Sequence, residues 1–250
     1  MPSRASKPVP DVAYLVHETD NESLRHSLRS LARNAIGLFG RVWIVGVLPQ
    51  WVTGVEHLPL EHAGEKFADI RAKVTALASH DGVADEVVIM CDDVFIVDPI
   101  TTWAPFHMGS TAAYLDAEAS RGRVPARNTW IRAVANTAQW MAEQGHGDID
   151  CYEGHVPLCF DRHRLADVLA QYPTDRTCDY PGFYPLAGAA GEGVQAGNAK
   201  VKELDGPEFE AKLALPIPYL STNDASFRDG VVGGFIRGLF RQPCQYEETP

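Results

Sequence analysis

The chain has 250 residues, 45% of them hydrophobic and 22% charged, and a formal net charge of −11 at pH 7. That is enough apolar material for one large domain or two small ones. The acidic balance argues against a nucleic-acid partner, which needs a basic face, but leaves room for a nucleotide held in a local cradle.

Residues 1–10 are basic and rich in Pro and Ser and read as a flexible tail before a single domain over 11–250. DVAYLV (11–16) reads as a buried strand. NESLRHSLRSLARNA (21–35) places Leu24, Leu28 and Leu31 at helical spacing, with Asp20 or Asn21 as N-cap. RVWIVGV (41–47) and VEHLPL (55–60) read as two further strands. EKFADIRAKVTALASH (65–80) carries Phe67, Ile70, Val74 and Leu77 on one helical face, and EVVIMCDD (86–93) reads as a fourth strand. Short apolar strands alternating with helices predict an α/β fold, a mostly parallel sheet covered on both faces.

The second half is less regular. NTWIRAVANTAQWMAEQ (128–144) predicts a helix, CYEGHVPLCF (151–160) a strand with Pro157 near an edge, and DRHRLADVLAQY (161–172) a helix. Residues 174–200, rich in Gly, Pro and Tyr, read as one long ordered loop. NDASFRDGVVGGFIRGLF (223–240) reads as a final helix whose glycines weaken it by propensity and favour close packing on a neighbour.

The five cysteines form no CxxC pair and read as reduced thiols. No run reaches the ~18 apolar residues of a membrane span, and the opening MPSRASKPVPD has no apolar leader segment. These features lead to the expectation of a cytoplasmic protein. GxSxG, GxxxxGK[ST], HExxH and GxGxxG are all missing.

Ligands of such sheets bind outside the carboxyl ends of the strands. Asp92 and Asp93 stand at one such end and HETDNE (17–22) at another. Adjacent acids there either hold a turn or ligate a divalent ion, since Mg²⁺ and Mn²⁺ take carboxylates together with substrate phosphates. Arg25 and Arg29 share a helix face, and Arg25, nearer the ligand edge, suits bidentate phosphate binding. His155 is either a packed histidine or a general base. Asn223 and Asp224 precede a helix as caps, and a capping Asp keeps a free oxygen for other work. Arg176 reads as a phosphate clamp or as a contact to exposed backbone.

In order along the chain, DVAYLVHETDNESLRHSLRSL, RVWIVGVLPQWV, VVIMCDDVFIVDPI, YEGHVPLCFDRHRL and YLSTNDASFRDGVVGGFIRGLF resemble motifs of the Stealth-type sugar-phosphate transferases. They also resemble the related short glycosyltransferases of actinobacterial phages. The likeness runs over roughly residues 11–247; Cys91 stands where that family has Asn before its acids. It implies a GT-A-like nucleotide-sugar fold with a nucleotide-binding half over 11–100 and an acceptor-side half over 101–250, a UDP-type donor, and a Mn²⁺ or Mg²⁺ ion on Asp93 and Asp92. On that likeness His17, Asp20, Arg25, Ser27, Arg176 and Asn223 face the donor, and His155, Asp224 and Asp92 serve the chemistry. The acceptor is then a protein or glycan, a phage structural protein among them, in the host cytoplasm if the chain is phage-encoded. Transfer of the sugar, transfer of sugar-1-phosphate, and a non-turning-over binding module on the same fold all remain open at this point.

Overall fold

The structure, a computed structural model, describes residues 9 to 248. Residues 1–8 of the expected tail lie outside the described residues. Pro10 is buried, and its carbonyl accepts from the Gly40 N–H at 2.9 Å.

Alternating side chains of DVAYLV point to opposite faces, and both faces are apolar, so β1 (Asp11–Val16) has to be covered twice. On one face Val12, Tyr14 and Val16 pack with Leu24, Leu28 and Leu31 of α1 (Glu22–Asn34). On the other, Ala13 packs among residues of β2 (Val42–Gly46) and α2 (Lys66–Ser79), including Trp43, Val45, Val74 and Leu77. Between them lies the short β3 (Glu56–Leu58); β4 (Glu86–Met90) follows α2. β4 leads through a turn into β5 (Val94–Ile96), then β6 (Phe106–His107), α3 (Thr111–Ser120) and α4 (Thr129–Glu143). The chain returns to the main sheet as β7 (Leu158–Asp161), followed by α5 (Arg162–Gln171).

The main sheet has the order β3-β2-β1-β4-β7. β1, β2, β3 and β4 run parallel, with Val12 opposite Val42 and Val88, and β7 is antiparallel to β4. The mostly parallel, doubly covered sheet expected from the sequence is therefore observed. β7 comes from the second half of the chain, so one sheet draws on both halves.

The expected loop over 174–200 contains a 3₁₀ turn (Tyr180–Phe183), the one-turn helix α6 (Tyr184–Ala187) and β8 (Val194–Gln195), which pairs with β6. Next come α7 (Gly206–Leu213) and β9 (Tyr219–Ser221), neither of which has a clear period in the sequence. β9 pairs antiparallel with β5, Val94 opposite Ser221.

Two further expectations are corrected. The strand over 151–160 begins only at Leu158; before it, Cys151 bonds through its backbone to Met108 and Gly109. The final helix is two, α8 (Asp224–Asp229) and α9 (Val231–Leu239), broken at Gly230 in extended backbone. The reason is a close approach: a Cβ on Gly233 would lie 1.7 Å from the Phe227 carbonyl oxygen. Phe227 in turn stacks on Phe95 at 5.7 Å, and with Val232 and Ile236 it closes a small separate core over β5 and β9.

Candidate active site

The expected strand over 86–93 ends at Met90, and Asp92 and Asp93 occupy the turn into β5, where the Val94 N–H donates to the Cys91 carbonyl at 3.2 Å. The turn lies at the carboxyl end of β4, beside the exit of the neighbouring parallel strand β1. One side chain joins the two exits. Asn21 caps α1 by accepting from the Leu24 N–H at 2.9 Å and donates its amide to Asp92 Oδ2 at 2.5 Å.

Asp92 is a strained acid. Burial, and then the charge of Asp93, push its carboxyl up to about 6, with the Asn21 bond working the other way. Asp11, at the opposite end of the sheet, shows what a buried structural acid looks like. It accepts from Trp43 Nε1, from the Arg41 and Ala84 N–H groups and from the Arg41 guanidinium. Burial opposes its charge, but those bonds hold it below the ordinary carboxylate range. An acid held above its ordinary range beside a like charge is the pattern of a functional site.

Asp93 has a partner that the sequence does not announce. Lys200 Nζ donates to Asp93 Oδ2 at 3.0 Å, the two side chains being 16% and 23% exposed. β9 brings them together. The Thr222 N–H donates to the Asp93 carbonyl at 3.0 Å, continuing the β5–β9 ladder, and Lys200 bridges Ser221 on the other side. The hydroxyls of Ser221 and Thr222 in this ladder are buried with no hydrogen-bond partner among the described residues. Such groups cost free energy unless something satisfies them.

His155 closes the cluster. It alone among the described non-glycine residues has a positive φ, 53°, a sparsely populated backbone region that costs of order 1 kcal/mol or more. Its neighbours hold it there: the Gly154 carbonyl accepts from the Ala199 N–H at 2.8 Å, and Glu153 O from Asn198 Nδ2 at 3.3 Å. Burial, and then the charges of Lys200, Lys202, Lys66 and Lys212, hold its imidazole well below the usual range. His155 is therefore neutral near pH 7, and the same burial and charges make its imidazole less basic than usual. Trp130 lies 6.3 Å from the His155 ring and donates to Glu153 Oε2 at 2.7 Å.

The remaining candidates are dispersed. His17 and Asp20 are exposed in the β1–α1 turn, His17 pairing with Glu18 at 2.9 Å. Arg25 donates to Glu247 at 3.1 Å and stacks 4.3 Å over Trp51. Ser27 is fully buried; its hydroxyl donates to the Val94 carbonyl at 2.5 Å and so fixes α1 on β5. Arg176 pairs with Glu143 at the end of α4, at 3.2 Å. Asn223 caps α8 in a reciprocal box with Ser226, and Asp224 is exposed in its first turn. The structure thus sets Asp92 and Asp93 in one turn, brings the segment before His155 onto Ala199 beside Lys200, and places Asn223 and Asp224 two and three residues beyond Ser221. Asn21, read in the sequence only as a cap, joins Asp92, and Lys200 joins Asp93 without having been singled out by sequence.

The donor set does not fit the expected Mn²⁺ or Mg²⁺ ion. A divalent ion of this kind takes several oxygen ligands, deprotonated when they bind. Asp93 already holds Lys200, Asp92 holds Asn21, and among the described residues no group of three His, Cys, Asp or Glu is placed to hold a metal.

The architecture is that of the GT-A-like proteins, a mixed and mostly parallel sheet flanked by helices. Among solved structures, the chain is similar to the galactosyltransferase LgtC in complex with donor and acceptor sugar analogs. The TM-score is 0.54 at 11% sequence identity, over 96% of this chain and 97% of that one. The glycosyltransferase GlyE of Streptococcus pneumoniae TIGR4 aligns with 38% of this chain and 26% of its own, at 13% identity and a TM-score of 0.27. No family model matches the chain, and no curated protein does.

Proposed function

We propose that the chain is a nucleotide-sugar-dependent transferase that uses a UDP-type donor to modify a protein or glycan acceptor. The observation that carries this reading is the Asn21–Asp92 bond. It draws the exits of β1 and β4 into one site, at the edge of a GT-A-like sheet where ligands bind. The base and ribose lie along the β1 exit near His17 and Asp20, and the diphosphate lies toward Asp92, Asp93 and Lys200. His155, neutral and strained, takes the proton of the attacking acceptor hydroxyl; Asp224, exposed at the start of α8, is the second candidate for that work. Attack at the anomeric carbon breaks the sugar C1–O bond, releases UDP and gives a glycoside, whereas attack at the β-phosphorus breaks the P–O–P bridge, releases UMP and moves sugar-1-phosphate.

A thermal-shift screen of UDP-, GDP-, CMP- and dTDP-sugars tests the donor class, with a rise for the UDP compounds expected. Product mass then distinguishes glycosyl from sugar-phosphate transfer. A chain that shifts with none of the four, or binds one and never turns it over with any acceptor, is not the transferase proposed.

A further inference from the structure

We infer that Lys200, in place of a divalent ion, supplies the positive charge that faces the donor diphosphate, with Asp93 as its positioning residue. This rests on the nucleotide-sugar reading above.

Lys200 is fixed by its backbone rather than by chance contact. The Ser221 N–H donates to the Ala199 carbonyl at 3.0 Å and the Val201 N–H to the Ser221 carbonyl at 2.8 Å, so the residue is held in a ladder on both sides. Its ammonium has three donors, and the Asp93 contact at 3.0 Å uses one. Lysine is an effective point charge for phosphate. Burial works against that charge, and the Asp93 carboxylate outweighs the burial and keeps it protonated. The second acid of the pair is thus explained without a metal.

Four lysines, Lys200, Lys202, Lys66 and Lys212, act on His155, whereas Asp93 and Glu153 act on Lys200 and Asp93 and Glu18 on Asp92. A divalent ion at this pair would find one oxygen of each carboxylate, Oδ2, already taken.

Calorimetric titration of the full chain with UDP, in chelator and in Mn²⁺, tests this. The wild type is expected to bind UDP equally, within about twofold, in both buffers, and Lys200→Met to lose about tenfold or more in both. Lys200→Arg keeps the charge and retains binding. Asp93→Asn is the partner variant: it weakens UDP binding equally in chelator and in Mn²⁺ if Asp93 only positions Lys200, and abolishes a Mn²⁺-dependent gain in affinity if Asp93 is a metal ligand. Wild-type binding that needs Mn²⁺, or a Lys200→Met protein that binds as well as wild type, overturns the assignment. If wild type binds none of UDP, GDP, CMP and dTDP in either buffer, the donor reading itself falls and this inference with it.

Discussion

Asn21 and Asp92 are 71 residues apart and meet at 2.5 Å, amide to carboxylate, while the other end of the same Asn21 side chain caps α1. One residue therefore sets both the start of the first helix and the orientation of the acid at the end of β4. Replacing it by Ala removes a cap worth about 1 kcal/mol and a bond to a buried carboxylate worth about 1.5–3 kcal/mol. Asn21→Asp keeps the cap but sets a carboxylate against Asp92. Its stability in urea should match wild type near pH 4 and fall below it by pH 7. An Asn21→Asp protein as stable as wild type at pH 7 would show that the contact does not matter.

Asp92 makes stability depend on pH in a defined direction. Its carboxyl is raised from 3.8 to about 6 in the folded chain, so between those values the folded state binds more protons than the unfolded one. The penalty for ionising Asp92 is absent below pH ~4 and complete above pH ~6, reaching on the order of 3 kcal/mol. Asp92→Asn should remove that component. The difference in unfolding free energy between variant and wild type should grow across this window in favour of the variant, while UDP affinity does not fall. A flat difference curve would place Asp92 in a satisfied environment after all.

His155 combines a strained backbone with a neutral ring. Glycine adopts φ of 53° freely, so His155→Gly should fold at least as stably as wild type while transfer slows about 10²–10⁴-fold, the range for loss of a general base. Because the folded imidazole titrates well below 6.5, the wild-type rate should not lose activity to His155 protonation as the pH falls from 8 to 6.5. The same shift makes stability present above the unfolded value and eroded as the pH drops below it. A sharp loss of rate centred at the ordinary histidine value would contradict the assignment.

Arg25 and Arg29 converge on Glu247, whose side chain is only 2% exposed. Glu247 also accepts from the Cys244 N–H at 3.0 Å, so it fastens the C-terminal segment to α1. Glu247→Ala leaves Arg29, itself 11% exposed, without its carboxylate, and should cost about 3–5 kcal/mol. Arg25→Ala should cost about 1 kcal/mol through its Glu247 and Trp51 contacts, with UDP affinity unchanged. A marked loss of UDP binding in Arg25→Ala at wild-type stability would return Arg25 to the phosphates.

Much of the framework is written locally. The two apolar faces of DVAYLV, the leucine spacing after Asn21 and the run ending in Asp92 and Asp93 identify β1, α1 and β4 because side-chain periodicity reports which faces must be buried. The same reading places the acids at a ligand edge, since carboxyl ends of parallel strands share one side of the sheet. The partners of those groups are a different matter. Asp93 meets Lys200 across 107 residues, and Arg25 meets Glu247 across 222. Each pairing depends on strands β5 and β9 or on a terminal segment folding back, and no local period encodes such a crossing. The break at Gly230 is likewise decided by how closely Gly233 approaches the Phe227 carbonyl, a distance that exists only once the chain is packed. Sequence alone determined where the acids stand and which helix faces them; the tertiary structure decided which charge each acid keeps, because charge pairing follows proximity in space.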